Sequence, residues 1–166
     1  MYQRILLAYD GTLEGRAALR EGALIARRYD AQVHLLSVVA ESSGLRVADA
    51  VSSGSLPLVE ERYRAILEEG AERLRALGFT PQATLASGEP AKVIGAVARQ
   101  TGADLVVVGH RKQSMLERWW SGSSGAYLMD NLDCTLLISR KVLNEAEFQA
   151  ELAAIAARAG GDAKPR

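Results

Sequence analysis

The sequence predicts an open, doubly wound α/β sandwich, a mostly parallel sheet with helices on both faces. Strand-like and helix-like segments alternate along the chain in the order β-α-β-α-β-α-β-α-β, and such alternation requires right-handed crossovers that cover both faces of the sheet. Asp104-Leu105-Val106-Val107-Val108 is an apolar run without polar alternation, as expected of a central strand buried on both sides. The length of 166 residues suits one domain, and 48% hydrophobic with 24% charged residues is the composition of a chain that folds.

The elements follow in order. Arg4-Ile5-Leu6-Leu7-Ala8-Tyr9 is a short buried strand, and Asp10-Gly11-Thr12 turns out of it. From Leu13 to Tyr29, the residues Gly15, Ala18, Leu19, Gly22, Ile25 and Ala26 form a stripe of mostly small side chains at helical spacing, so this helix can sit close to the sheet. Val33 to Val39 is the second strand, and Glu41 to Gly54 is a connection whose length goes with mobility or function. A helix from Pro57 to Leu77 carries Tyr63, Ile66, Leu67, Gly70, Leu74 and Leu77 on one face, with Gly78 as its stop.

Thr80 to Ala86 alternates weakly, and Pro81 marks it as an edge strand or a strand's first residues. Gly88-Glu89-Pro90 opens a helix with proline in its first turn, ending near Gly102. After the central strand come a loop from Gly109 to Ser121, a short helix from Gly122 to Asn131 and a last strand from Thr135 to Ser139. Beyond it, Phe148, Leu152 and Ile155 recur at i, i+4 and i+7 in an amphipathic helix from Asn144 to Arg158. That helix either packs loosely or docks on the body or a partner subunit. Disorder is expected from Gly160 to Arg166.

Composition excludes several functions. Twenty basic and twenty acidic residues cancel, leaving no field to concentrate a polyanion, so nucleic acid is not an expected partner. No secretory signal precedes the first strand, and no segment nears the roughly 18 apolar residues of a membrane span. A cytoplasmic protein without membrane contact is expected. Cys134 has no cysteine to pair with and sits in an apolar strand, where a small core residue is the simpler reading. His34 and His110 lie on different segments without metal-ligand spacing, so no metal site is expected. His34 suits a strand residue, and His110 either touches a ligand or lines its loop. Trp119-Trp120 suits a loop anchor better than a base-stacking pair.

Catalytic motifs are equally sparse. The chain lacks Gly-x4-Gly-Lys-[Ser/Thr], the Gly-x-Gly-x2-Gly turn after the first strand, and the Gly-x-Ser-x-Gly elbow. The Ser-Gly-Gly-x-Asp-Ser loop of adenylating enzymes is also missing after that strand. No residue is assigned a catalytic role.

In an open α/β sheet, ligands bind at the carboxyl ends of strands where strand order reverses. Ala8 to Thr12, Val38 to Ala40 and the loop from Gly109 should meet there. Gly122-Ser123-Ser124-Gly125 opens the following helix with backbone N–H groups, a favourable dipole and hydroxyl donors, the ingredients of a phosphate cradle, although from spacing alone an ordinary helix cap is the simpler reading. Arg111, Lys112 and Arg118 add positive charge. Asp10 can accept a hydrogen bond from a ribose hydroxyl or adenine, or cap the turn that follows it.

The sequence resembles the universal stress protein (UspA) family over residues 3–140. The resemblance rests on Arg4 to Thr12, the Gly88-Glu89-Pro90 helix start, Ala103-Asp104-Leu105-Val106-Val107-Val108-Gly109 and Asp133-Cys134-Thr135-Leu136-Leu137-Ile138. It implies a parallel five-stranded sheet in the order 3-2-1-4-5 over a domain of residues 1–140, with 141–166 as an extension. It further implies a homodimer through the last strand. ATP-binding members carry Gly-x2-Gly-x9-Gly-[Ser/Thr]; here Gly109 and Gly122-Ser123 match at the right spacing, while Lys112 replaces the second glycine. A Cβ at that position hinders close backbone approach, whereas the lysine charge suits a phosphate. Carried over by position, Ala8, Asp10 and Val38 lie on the adenosine side. Gly109, Arg111, Lys112, Gly122, Ser123 and Ser124 lie on the phosphate side. The function implied is an ATP-binding sensor or regulator in the stress response, with Mg²⁺ accompanying the nucleotide and slow hydrolysis at most. The alternative is a member without nucleotide that acts through its dimer and protein contacts.

Overall fold

The computed structural model describes residues 1–40, 56–110, 127–128, 130–140 and 143–161. Its elements are β1 (Arg4–Ala8), α1 (Leu13–Tyr29), β2 (Gln32–Ala40), α2 (Leu56–Ala76), β3 (Gln82–Gly88), α3 (Pro90–Thr101), β4 (Leu105–Gly109), β5 (Thr135–Ser139) and α4 (Glu145–Gly161). All strand pairs are parallel, and the sheet order is β3-β2-β1-β4-β5. The doubly wound fold and its strand order are therefore as expected.

Alternation along β1 shows why the sheet needs two covers. Ile5, Leu7 and Tyr9 pack with Ala18, Leu19, Ala23 and Ala26 of α1 and Leu67, Ala71 and Leu74 of α2. Leu6 turns the other way, toward Ala91, Ile94 and Ala98 of α3 and toward Leu128. Every residue of β4 is buried, the signature of its central place. The small stripe on α1 has a steric reason: a Cβ on Gly22 would stand 2.3 Å from Leu7 Cδ2.

Boundaries shift for local reasons. β3 starts at Gln82, after Pro81, which has no N–H for a ladder, and β3 is an edge strand. Pro90 occupies the first turn of α3, and Gly102 ends that helix at φ 62°. Tyr127, Leu128, Asp130 and Asn131 are helical ahead of β5. The connection expected over 41–54, most of the 109–121 loop and the start of the helix from Gly122 lie outside the described residues.

α4 does dock. Arg20 of α1 donates from Nη1 to the Leu143 carbonyl (2.9 Å), pairs with Glu145 and lies 5.5 Å from the Phe148 ring centroid. Leu143, Phe148 and Ile155 are buried. A reciprocal cap starts the helix: Asn144 N donates to Glu147 Oε2 (3.1 Å) and Glu147 N donates to Asn144 Oδ1 (2.9 Å). The disorder expected from Gly160 is corrected at its first two residues, because α4 runs on through Gly161.

Candidate functional site

Strand order reverses between β1 and β4, the place where open α/β sheets receive ligands at the carboxyl ends of their strands. β1 is held there from two directions. Tyr9 N donates to the Leu36 carbonyl (2.8 Å), and Ser37 Oγ, fully buried, donates to the Tyr9 carbonyl (2.7 Å). The Tyr9 ring lies against α2, where a Cβ on Gly70 would come within 2.7 Å of it. Its hydroxyl donates to Glu69, which also pairs with Arg73 (2.5 Å) and Arg16 (3.3 Å). Burial first, then the bond to Glu69, pushes the Tyr9 pKa up to about 12. Burial raises the Glu69 pKa, but hydrogen bonds from Tyr9 and Arg73 and the charges of Arg73 and Arg16 outweigh it and hold the carboxyl below its ordinary value.

The next residue, Asp10, turns the chain into α1. Its Oδ1 accepts from Thr12 N (3.0 Å) and Thr12 Oγ1 (2.5 Å), while Thr12 Oγ1 accepts from Gly15 N (3.0 Å) and so caps α1. The turn-capping role of Asp10 is thus realised, and both bonds fall on one carboxylate oxygen. Gly15 makes the arrangement fit, since a Cβ there would stand 2.3 Å from Asp10 Oδ1.

Gly109, at the end of β4, closes against the same turn. A Cβ on it would stand 2.7 Å from the Glu14 carbonyl oxygen and 3.0 Å from Gly15 N. The structure thereby brings Asp10 and Gly109 to either side of the first turn of α1. Ala8 and Val38, both half-buried, pack on the opposite, α3 side of the sheet. Arg111, Lys112, Gly122, Ser123 and Ser124, together with Arg118 and Trp119-Trp120, lie outside the described residues.

The other singled-out residues take plain roles. His34 is buried in β2, and burial followed by the charge of Arg4 lowers its pKa. His110 N donates to the Ser139 carbonyl (2.9 Å), extending the β4–β5 pairing. Cys134 is half-buried, and burial, then Asp104 and Asp133, pushes its thiol pKa up, which disfavours the reactive thiolate. Among the described residues, no group of three His, Cys, Asp or Glu side chains is placed to hold a metal, and no helix is long and apolar enough to cross a membrane. A cavity of about 340 Å³ lies at the other end of the sheet, by Arg27, Gln32, Phe79 and Gln82. Arg27 already lies over Phe79 there, 5.0 Å from the ring centroid, and bonds the Leu77 carbonyl.

Sequence reasoning missed Tyr9, Gly15, Ser37, Glu69 and Ser139 as residues that shape this end of the sheet. One signal was present: Ser37 is a hydroxyl within the apolar run Leu35-Leu36-Ser37-Val38-Val39.

Known proteins share this architecture. The family model described as universal stress protein family matches residues 1–140. A universal stress protein of Methanocaldococcus jannaschii is 28% identical over 152 residues, covering 87% of this chain and 86% of its own. The solved structure of UspA from Lactobacillus plantarum superposes with a TM-score of 0.69 at 24% identity, covering 84% of this chain and 98% of that one. A universal stress protein solved in complex with cAMP gives a TM-score of 0.62 at 23% identity, covering 84% and 97%. At these identities the solved structures establish the shared fold, and the family model, spanning most of the chain, establishes the kinship: this chain belongs to the universal stress protein family.

Proposed function

We propose that this protein binds ATP or a related adenine nucleotide at the carboxyl ends of β1 and β4 and works as a sensor or regulator in the stress response. The observation that carries the reading is the convergence of Asp10, the first turn of α1 and Gly109 at the reversal of strand order. Asp10 spends Oδ1 on its turn and keeps a second carboxylate oxygen for a ribose hydroxyl. Ala8 is small enough for a ligand to lie over the end of β1, Gly109 lets the first turn of α1 close onto the end of β4 beside it, and Val38 borders the adenine side. Arg111 and Lys112 at the start of the connection after β4, and Gly122, Ser123 and Ser124 further along it, contribute the phosphate side. A family member solved with cAMP supports an adenine nucleotide as the ligand class.

The protein is cytoplasmic in this reading, and Mg²⁺ accompanies the nucleotide. It forms a homodimer through β5, an edge strand whose Leu136, Leu137 and Ile138 are half-buried. The test is calorimetric titration of the nucleotide-stripped protein with ATP and Mg²⁺, with AMP alongside, after mass spectrometry of whatever co-purifies. ATP binding well above AMP supports the reading. Binding of neither moves the function to protein contacts.

A further inference from the structure

Two serines are buried at the carboxyl end of the sheet, and their hydroxyls fare differently. Ser37 is fully buried and donates to the Tyr9 carbonyl. Ser139, the last residue of β5, is 3% exposed, and its Oγ has no hydrogen-bond partner; among the described residues it is the one buried side-chain oxygen or nitrogen so left. A buried hydroxyl without a partner weakens the fold. Such a group in a native protein calls for an explanation.

Its place supplies one. Ser139 pairs in register with Gly109 of β4. Leu137, two residues earlier, packs into the core under α1 and α2, and strand alternation puts Ser139 on that same face. There the absent side chain of Gly109 gives way to the backbone of Glu14 and Gly15, in the first turn of the 17-residue helix α1. The end of that helix is the positive pole of its dipole. Asp10, Gly109 and Ser139 therefore follow one another across the adjacent strands β1, β4 and β5. At about 4.8 Å per strand the row is roughly 10 Å long, on the order of the reach from a ribose to the far phosphates of a nucleoside triphosphate.

We infer that the Ser139 hydroxyl is a ligand-contacting group of this site, donating to a phosphate oxygen of the bound nucleotide at the end of the row opposite Asp10. The inference rests on the nucleotide-binding reading above and extends it to a residue on the last strand. In the free protein the hydroxyl is held desolvated, and the ligand completes its bonding.

Removing the hydroxyl should then act on stability and on affinity in opposite directions. The experiment compares the wild-type chain with Ser139→Ala and Ser139→Thr, by thermal unfolding of the nucleotide-free proteins and by titration with ATP and with AMP. Ser139→Ala is expected to raise the unfolding midpoint of the free protein by about 2–4 °C. It should weaken ATP about tenfold and AMP, which lacks the outer phosphates, by less. Ser139→Thr, which keeps a hydroxyl, should recover much of the ATP affinity. Wild-type and Ser139→Ala proteins that bind ATP within twofold of each other would overturn the inference and leave the nucleotide reading standing. A Ser139→Ala protein less stable than the wild type would also overturn it, by showing that the hydroxyl has a partner in the free state. A wild-type protein that binds neither nucleotide would overturn both.

Discussion

The Tyr9 hydroxyl donates to the Glu69 carboxylate across 60 residues of sequence and ties the end of β1 to α2 one residue before Asp10. Tyr9→Phe keeps the ring against Gly70 and removes the hydroxyl's bond to Glu69 together with its interaction with Arg16, while Glu69 retains Arg16 and Arg73. Glu69 is about one-third exposed, so the loss is discounted from the value of a buried bond to a charged group, to about 1 kcal/mol. Thermal unfolding should show a midpoint lower by roughly 2–4 °C. An unchanged midpoint would mean that the bond does not persist in solution.

The same pair shapes both ends of the pH–stability profile. The Glu69 pKa is lowered by folding, so its contribution is complete above the unfolded carboxylate value of about 4.3 and is lost as pH falls through the lower folded value. The Tyr9 pKa is raised to about 12, so its contribution is complete below about 10 and is lost as pH rises toward the folded value. Glu69→Gln should flatten the acid limb, and Tyr9→Phe the alkaline one. Denaturant titrations at a series of pH values check both; a Glu69→Gln acid limb as steep as the wild type's would sink the assignment.

Gly109 is needed by the fold itself. Its missing Cβ would press on the Glu14 carbonyl at 2.7 Å, and backbone in a helix yields less readily than a side chain tip. Gly109→Ala is expected to cost about 1–3 kcal/mol, the range for overpacking a tight site. It should also shift the first turn of α1 and weaken ATP binding. Gly95→Ala is the control, because a Cβ there meets only the end of Arg99 at 3.8 Å. Equal stability of the two variants would contradict the close approach.

By the family resemblance of the sequence, Lys112 replaces the second glycine of the Gly-x2-Gly-x9-Gly-[Ser/Thr] pattern. With the proposed site otherwise built for an anion, Lys112→Gly is expected to weaken ATP binding by the 1.5–3 kcal/mol of one charge-assisted bond. Tighter binding by the glycine variant, read by calorimetry, would show instead that the lysine side chain obstructs the phosphates.

The fold was legible where a segment carried a local signature, and least so at β3, which alternates weakly. The apolar run of β4, the small stripe of α1 and the Pro90 start of α3 each constrain their own segment. Glycine at 109 stood out from its spacing to Gly122, yet the contact that requires it is with Glu14, which only the sheet register brings near. Tyr9 with Glu69 and Ser139 beside Gly109 depend on which strand lies beside which, and on which face of the sheet a side chain emerges. A single sequence does not encode such neighbours locally.

The docking of α4 depends on Arg20, which meets it three ways. The bond to the Leu143 carbonyl and the stacking over Phe148 are partly shielded, at roughly 1.5–3 and 0.5–1 kcal/mol, while the pair with Glu145, whose side chain is mostly exposed, adds little. Leu143, Phe148 and Ile155 bury apolar surface in the same contact region or beyond it along the helix, offset by the entropy of ordering the segment. Arg20→Ala should therefore loosen α4 while the sheet stays intact. Hydrogen exchange is expected to quicken at least tenfold over residues 143–161 and to stay unchanged in β1 and β4. Arg64→Ala, which breaks an exposed pair with Glu60 on α2, should leave α4 protected. Truncation after Val142 should lower the unfolding midpoint by several degrees. A truncated chain with unaltered stability would show that the helix rests on α1 without contributing to the fold.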